Sequence, residues 1–408
     1  MPIFRLLYPG IKIKRWLLLA SIGIGICAIG TAYFIRKIFL IQFPDFLPWY
    51  FEGILLLLIG ISIILFTLKG LFNTLSPLLS ENVTIGTIGE TLYDRLAKNK
   101  GPKIVAIGGG TGLSVLLKGI KSHTNNLTAV IGVSDDGGSS GRLRRELGII
   151  PPGDFRNCIV AMSDEDSRLP ELFQYRFSEG TGLKDHSFGN LFIVAMSNLT
   201  GNFVEALSES SKVLAVRGEI APATTDNLKL SAELSDGRII DGESNITAEK
   251  GIVSQLYIHP KNAKAYEPAV NAILDADLIV FGPGSLYTSI LPNLMVPGIK
   301  DAILKAKAQK VYVCNVATEI GETQGFNVSD HVKVLQEHTN EKILDFVIAN
   351  NNITEIGDQF EGEAVPISET SIEGITVIYD DLIDSTHIIR HDSDKLATSL
   401  LNIIHKTK

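Results

Sequence analysis

The hydrophobic pattern of the chain changes character near residue 70. Trp16 to Ile35 and Trp49 to Leu68 are almost unbroken apolar runs, each of about 20 residues, the length at which a helix crosses a hydrocarbon core of about 30 Å. Trp16, Tyr33, Trp49 and Tyr50 stand near their ends, where aromatic side chains anchor spans at the interface. Glu52 lies close to the start of the second run, within reach of that interface. Arg5, Lys12, Lys14 and Arg15 precede the first run, Arg36, Lys37 and Asp45 lie between the two, and Lys69 follows. This bias favours a hairpin of two helices with both ends in the cytoplasm. A cleaved signal peptide is the alternative for the first run, but no convincing A-x-A-like exit follows it and a second span does. The expected organisation is a tail and transmembrane hairpin over 1–72 (spans 16–35 and 49–68), a juxtamembrane linker over 73–100 with a helix at 89–98, and a cytoplasmic domain over 101–408. The expected location is the cell membrane.

From Lys103 onward, short β-branched runs alternate with helical periods. Strands are predicted at 103–107, 127–133, 212–216, 278–281, 311–315 and 344–348, and helices at 112–121, 155–163, 188–199, 267–275, 297–306 and 329–337. Such alternation is the signature of an α/β fold with a mostly parallel sheet covered by helices. The middle differs: 228–234, a turn at Asp236-Gly237, 238–240 and then 252–258 predict a small β-rich insertion.

Composition narrows the function classes. The net charge of −8 argues against a general nucleic-acid binder, although Arg142, Arg144 and Arg145 leave room for a local anion site. Cys27, Cys158 and Cys314 form no C-x-x-C pair and fit reduced thiols. There is no HExxH, no G-x-S-x-G and no metal-binding histidine spacing, so zinc chemistry and a nucleophile elbow are not expected.

The candidate chemistry sits in a few blocks. Ile107-Gly108-Gly109-Gly110-Thr111-Gly112 joins a predicted strand to a predicted helix, so backbone N–H groups and the positive end of a helix dipole are offered to a phosphate. It is not a dinucleotide fingerprint, because the third glycine of G-x-G-x-x-G falls on Leu113, and no G-K-[ST] follows. Ser134-Asp135-Asp136-Gly137-Gly138-Ser139-Ser140-Gly141 ends the second strand beside it. One carboxylate there could hold a ribose hydroxyl; two could hold Mg²⁺ against a diphosphate; or the segment could be a solvated loop with capping aspartates. Pro151-Pro152-Gly153-Asp154-Phe155-Arg156-Asn157 places Asp154 as a helix cap that can also face a ligand. His186 and Asn190 open another helix, as ligand contacts or as structural hydrogen-bonders. Gly282-Pro283-Gly284-Ser285 ends a buried strand in a second hydroxyl-rich turn, with Lys300 following and Tyr266 placed to stack on a base.

Together with His186-Ser-Phe-Gly-Asn190 and Gly282-Pro-Gly-Ser-Leu-Tyr-Thr-Ser289, these blocks resemble the YvcK/CofD-like family in order and over nearly all of Pro102 to the C-terminus, most closely its YvcK branch, the gluconeogenesis factors. The apolar hairpin resembles that of membrane-anchored members. The resemblance implies a Rossmann-like nucleotide-binding fold. The CofD branch transfers 2-phospho-L-lactate to a deazaflavin precursor with Mg²⁺ present. The YvcK branch is similar to a UDP-sugar binder, above all of UDP-N-acetylglucosamine, that links carbon status to envelope synthesis and cell shape without turnover. By position, Asp135 or Asp136 and Asp154 match the acidic residues of a transferase, with Asp135 and Asp154 as the metal candidates. Gly109, Gly110, Thr111, Gly112, Gly284 and Ser285 match phosphate-holding turns, and Tyr266 matches a nucleotide contact. Ser134, Asn157, His186, Asn190, Gly282 and Lys300 complete the expected ligand-binding set. The Asp-Asp-Gly-Gly-Ser-Ser-Gly segment differs from the transferase branch's own loop, which points away from phospholactate transfer. The expected protein is therefore a UDP-sugar-binding regulator that requires no cofactor, tethered to the membrane, homo-oligomeric, with a protein partner in envelope or amino-sugar metabolism and no nucleic acid. A Mg²⁺-dependent transferase is the alternative.

Overall fold

The computed structural model describes residues 13–39, 49–75, 98–99, 101–163, 168–353, 362–367, 371–372 and 374–407. The chain divides into two compact units, Met1–Asn99 and Lys100–Lys408. The helix expected at 89–98 lies almost wholly outside the described residues.

The described residues of the first unit include two long helices, α1 (Ile13–Phe39) and α2 (Trp49–Leu75). Their apolar windows, Arg15–Ala32 and Gly53–Leu71, are long and apolar enough to cross a membrane, with mean hydropathies of 1.6 and 2.5. The two helices approach closely because glycines face each other. A β-carbon on Gly23 would lie 3.2 Å from the carbonyl of Gly60, and one on Gly30 would lie 3.1 Å from the Leu57 side chain. Trp16 closes one end, edge-on to Phe66 at 5.7 Å.

Among the described residues the second unit has eleven strands: β1 (Ile104–Gly108), β2 (Leu127–Ile131), β3 (Glu219–Pro222), β4 (Lys229–Leu234), β5 (Ile239–Asp241), β6 (Val253–His259), β7 (Leu278–Phe281), β8 (Gln309–Val313), β9 (Phe346–Asn350), β10 (Ser371–Ile372) and β11 (Ile375–Asp380). Eight form one sheet in the order β10-β11-β9-β8-β7-β1-β2-β3, parallel except for β10. Every residue of β1 and β7 is buried, which is why these strands read as continuous apolar runs and not as alternating ones. The remaining three form the antiparallel sheet β5-β4-β6, the small β-rich insertion.

The helices of this unit are α3 (Gly110–Ile120), α4 (Gly138–Leu147), α5 (Gly153–Met162), α6 (Leu169–Gln174), α7 (Phe188–Thr200), α8 (Phe203–Val213), α9 (Glu243–Glu249), α10 (Glu267–Leu274), α11 (Leu291–Leu294, entered through a π turn at Leu286–Ile290), α12 (Pro297–Lys305), α13 (Val328–Thr339) and α14 (Ser393–Thr407). Phe155, Phe281, Tyr287 and Tyr312 are among the largest side chains buried completely between helices and sheet.

The chain fills the sheet outward in both directions from the β1/β7 pair: β2 and β3 lie on one side, β8 and β9 on the other. That reversal opens a crevice beyond the carboxyl ends of β1 and β7, where open parallel sheets bind ligands. Both glycine turns emerge there.

Two local predictions are corrected. The strand expected at 212–216 is the end of α8 and the turn after it; the third strand is β3. Asn202 accepts a hydrogen bond from the Val204 N–H and starts α8, so 203–213 satisfies a helix before any sheet can claim 212–216. The segment after Asp136 is helix α4 and not an open glycine/serine loop. Gly141 permits this, since a β-carbon there would collide with the Asp136 carbonyl.

Candidate functional site

A cleft of about 320 Å³ lies at the switch point. Gly109, Gly110, Thr111 and Gly112 form one wall; Gly284, Ser285 and Ser289 form the facing one. Gly110 adopts φ +66°, a left-handed conformation suited to glycine. A β-carbon on Gly112 would stand 2.5 Å from the Pro283 carbonyl oxygen, so the two turns touch only because that position is glycine. Gly109, at the N-cap of α3, has no side chain to cap the helix, and the Thr111 and Gly112 backbone of its first turn lines the cleft.

Sequence reasoning missed the residues that follow β8 and β11. Asn315, Thr318 and Glu319 line the cleft, as do Arg390 and His391. Asn315 holds the second glycine turn from both sides: its Oδ1 accepts from the Gly284 N–H at 3.1 Å, and its Nδ2 donates to the Gly284 carbonyl at 3.2 Å and to Glu319 Oε1 at 3.0 Å. Glu319 also hydrogen-bonds Ser285. His391 is buried against the Cys314 carbonyl at 3.1 Å, and burial pushes its pKa down to about 4, so it is neutral. The signal for Asn315, Thr318 and Glu319 is their place after a predicted strand, which topology turns into a cleft wall; Arg390 and His391 follow β11, where no strand is predicted.

Behind the second turn, Glu322 accepts from the Tyr287 N–H at 3.0 Å and the Thr288 hydroxyl at 2.7 Å. The helical segment after Gly282-Pro283-Gly284-Ser285 thus already has a carboxylate at its amino end. Burial and the neighbouring Glu319 hold Glu322 above the usual carboxylate range.

Gly282, Ser134, Asn157, His186, Asn190, Tyr266, Lys300 and the three aspartates are not among the residues lining this cleft. Gly282 is buried within its turn. The Ser134 hydroxyl donates to Glu243 Oε2 at 2.7 Å. Asn157 Oδ1 accepts from Arg156 Nη2 at 2.6 Å. Asn190 and His186 belong to a buried relay. Arg156 can only donate, so Asn190 Oδ1 accepts at 3.3 Å and Asn190 Nδ2 donates to Ser139 Oγ at 3.1 Å, which bonds His186 Nδ1 at 2.9 Å. His186 is thereby a structural hydrogen-bonder. Tyr266 precedes α10, its N–H bonded to the Ala223 carbonyl and its ring half-buried against the core. The Lys300 ammonium lies 3.5 Å from the carbonyl of Thr339, the last residue of α13, where a cation suits the helix dipole. Arg142, Arg144 and Arg145 each donate to backbone carbonyls, of Lys184, of Ser134 and Asp135, and of Asp136. The structure therefore uses them to shape loops.

The two adjacent aspartates separate cleanly. Asp136 accepts from the Glu243 and Ser244 N–H groups at 3.0 and 2.9 Å and from the Ser244 hydroxyl at 2.6 Å, anchoring the start of α9. Asp135 turns the other way, toward Gly153 and Asp154. Asp154 accepts from the Gly110 N–H, and its Oδ2 would lie 2.5 Å from a β-carbon on Gly109. Burial, then the charge of Asp135, pushes Asp154 up to about 6. Asp135 and Glu243 are raised as well, burial again being the main cause. Among the described residues no group of three or more His, Cys, Asp or Glu side chains is arranged to hold a metal ion.

A model of the family described as 2-phospho-L-lactate transferase CofD matches residues 104–383. The chain belongs to the CofD family. Within the family it is 45% identical to the gluconeogenesis factor of Bacillus subtilis over 74% of this chain and 98% of that one. A protein of Nostoc sp. provisionally named a gluconeogenesis factor is 42% identical over 98% of this chain and 92% of its own length. The alignment thus reaches the two N-terminal apolar helices in one CofD-family relative, whereas nearly all of the other matches without them. The crystal structure of a UPF0052 family member from Bacillus halodurans superposes with a TM-score of 0.70 at 42% identity, covering 74% of this chain and 99% of that one.

Proposed function

We propose that the globular unit binds a nucleotide sugar of the UDP-N-acetylglucosamine type in the β1/β7 cleft and acts as a regulator, linking carbon metabolism during gluconeogenic growth to envelope synthesis and cell shape. The two apolar helices tether it to the cell membrane with the globular unit in the cytoplasm. One observation carries the binding reading: two glycine turns abut at the switch point so closely that Gly112 meets the Pro283 carbonyl, and the Thr111 and Gly112 backbone at the start of α3 lines the cleft. Backbone N–H groups at such a terminus favour a diphosphate through hydrogen bonds and the helix dipole. The regulatory part draws on relatives named as gluconeogenesis factors.

The alternative, a transferase acting on a nucleotide-diphosphate-linked substrate, is favoured by Asp154, whose carboxyl is raised to about 6 beside Gly109 and Asp135. Two protein carboxylates are what Mg²⁺ uses when substrate phosphates supply other ligands, and Asp135 and Asp154 would be those two.

The test is a thermal unfolding titration of the full-length chain in detergent with UDP-N-acetylglucosamine, UDP-glucose, GDP and NAD. A ligand at about 100 times its Kd adds about 2.7 kcal/mol. Stabilisation by the uridine nucleotides is expected. Stabilisation by GDP alone contradicts the proposal, and release of UDP or a sugar phosphate with Mg²⁺ present favours the transferase.

A further inference from the structure

We infer that Glu319 is a specificity-determining residue of the cleft, accepting hydrogen bonds from a pair of ligand hydroxyls. The inference rests on the nucleotide-sugar reading and adds a contact to it.

The second glycine turn resembles an anion cradle in sequence, but its surroundings are acidic. Glu322 already occupies the Tyr287 N–H behind the turn, and Glu319 lines the cleft in front of it, bonded to Ser285 and Asn315. Burial raises both carboxyls, Glu322 to about 7, and the negative charge that remains on the pair repels a diphosphate. At the other wall the first turn of α3 presents the Thr111 and Gly112 backbone to the same cleft, with the Asp154 carboxylate on the Gly110 N–H beside it.

Glu319 is held in place from behind. Asn315 cannot rotate without giving up the Gly284 N–H and carbonyl together, so its Nδ2 is fixed toward Glu319 Oε1. A carboxylate offers about four lone-pair sites; Asn315 and Ser285 take two, and Glu319 borders the cleft. Burial raises its pKa, the mark of a carboxylate short of donors. Hydroxyl donors from a ligand supply them, which is how an acidic residue beside a nucleotide cleft holds a ribose. Both the ribose and the hexose of a nucleotide sugar carry such hydroxyls.

The test compares Kd values of the full-length chain in detergent for UDP-N-acetylglucosamine, UDP and 2′-deoxy-UDP, for the natural sequence and for Glu319→Gln. Losing a hydrogen bond to a charged group costs about 10- to 100-fold in affinity. The natural protein is expected to prefer UDP over 2′-deoxy-UDP, or UDP-N-acetylglucosamine over UDP, by that factor. Glu319→Gln is expected to shrink the ratio and to tighten binding of inorganic pyrophosphate. The ratio that shrinks names the ribose or the hexose as the source. If the natural protein binds UDP but shows neither preference, or if Glu319→Gln leaves both ratios unchanged, the inference fails while the nucleotide reading stands. If the variant does not fold, the natural protein's ligand series still decides. Absence of binding to every uridine nucleotide fails the parent reading itself.

Discussion

Gly112 and Pro283 are in contact across the β1/β7 pair, with no room for a β-carbon between the helix start and the carbonyl. The intruded atom is backbone, which cannot swing aside as a side-chain tip can. Gly112→Ala is therefore expected to cost about 1–3 kcal/mol through overpacking and to weaken nucleotide binding at least tenfold. Thermal unfolding and a binding titration on the same preparation check both.

Asp154 makes stability depend on pH in a defined sense. Its carboxyl is raised from 3.8 to about 6 in the folded protein, so folding takes up a proton between those values. The stability it contributes is complete below 3.8 and is lost as pH rises through about 6. Asp154→Asn keeps an oxygen for the Gly110 N–H and removes the charge. It is expected to be more stable than the natural protein near neutral pH, by up to about 3 kcal/mol, with the difference vanishing as pH falls toward 3.8. Denaturant unfolding at several pH values measures this.

Arg144 shows why a basic cluster is ambiguous in sequence. Its guanidinium, only 8% exposed, bonds the Ser134 and Asp135 carbonyls, Asn227 Oδ1 and the Leu228 carbonyl. A lysine cannot reproduce that fork. Both Arg144→Lys and Arg144→Ala are expected to lose about 2–4 kcal/mol in denaturant unfolding, with the alanine the worse.

Legibility followed burial. β1, β2, β7, β8 and β9 were readable because strands covered on both faces must be apolar and β-branched. β3 escaped notice: Glu219–Pro222 is an edge strand with two buried residues and a proline, and a neighbouring apolar run attracted the assignment. α4 was hidden by glycines and serines that disfavour helices locally and are there for close packing. In the cleft, the glycine turns announced themselves, since only glycine fits them. Asn315 and Glu319 did not, because an Asn and a Glu after a strand are ordinary loop residues until the sheet order brings β8 beside β7. Asp135 and Asp136 are indistinguishable in sequence; α9, from the insertion, claims Asp136 and leaves Asp135 facing Asp154.

The proposed topology has its own check. A reporter fused after Lys408 is expected to be active in the cytoplasm, and protease added outside intact cells is expected to leave the globular unit uncut. A periplasmic score contradicts the hairpin.

The most direct measurement is a crystal structure of the full-length protein with UDP-N-acetylglucosamine. The expected result is an intact ligand in the β1/β7 cleft, its diphosphate oxygens accepting from the backbone N–H groups of Thr111 and Gly112 and a hydroxyl of its ribose or hexose on Glu319. A diphosphate seated against Glu319, or a ligand bound outside the cleft, contradicts it.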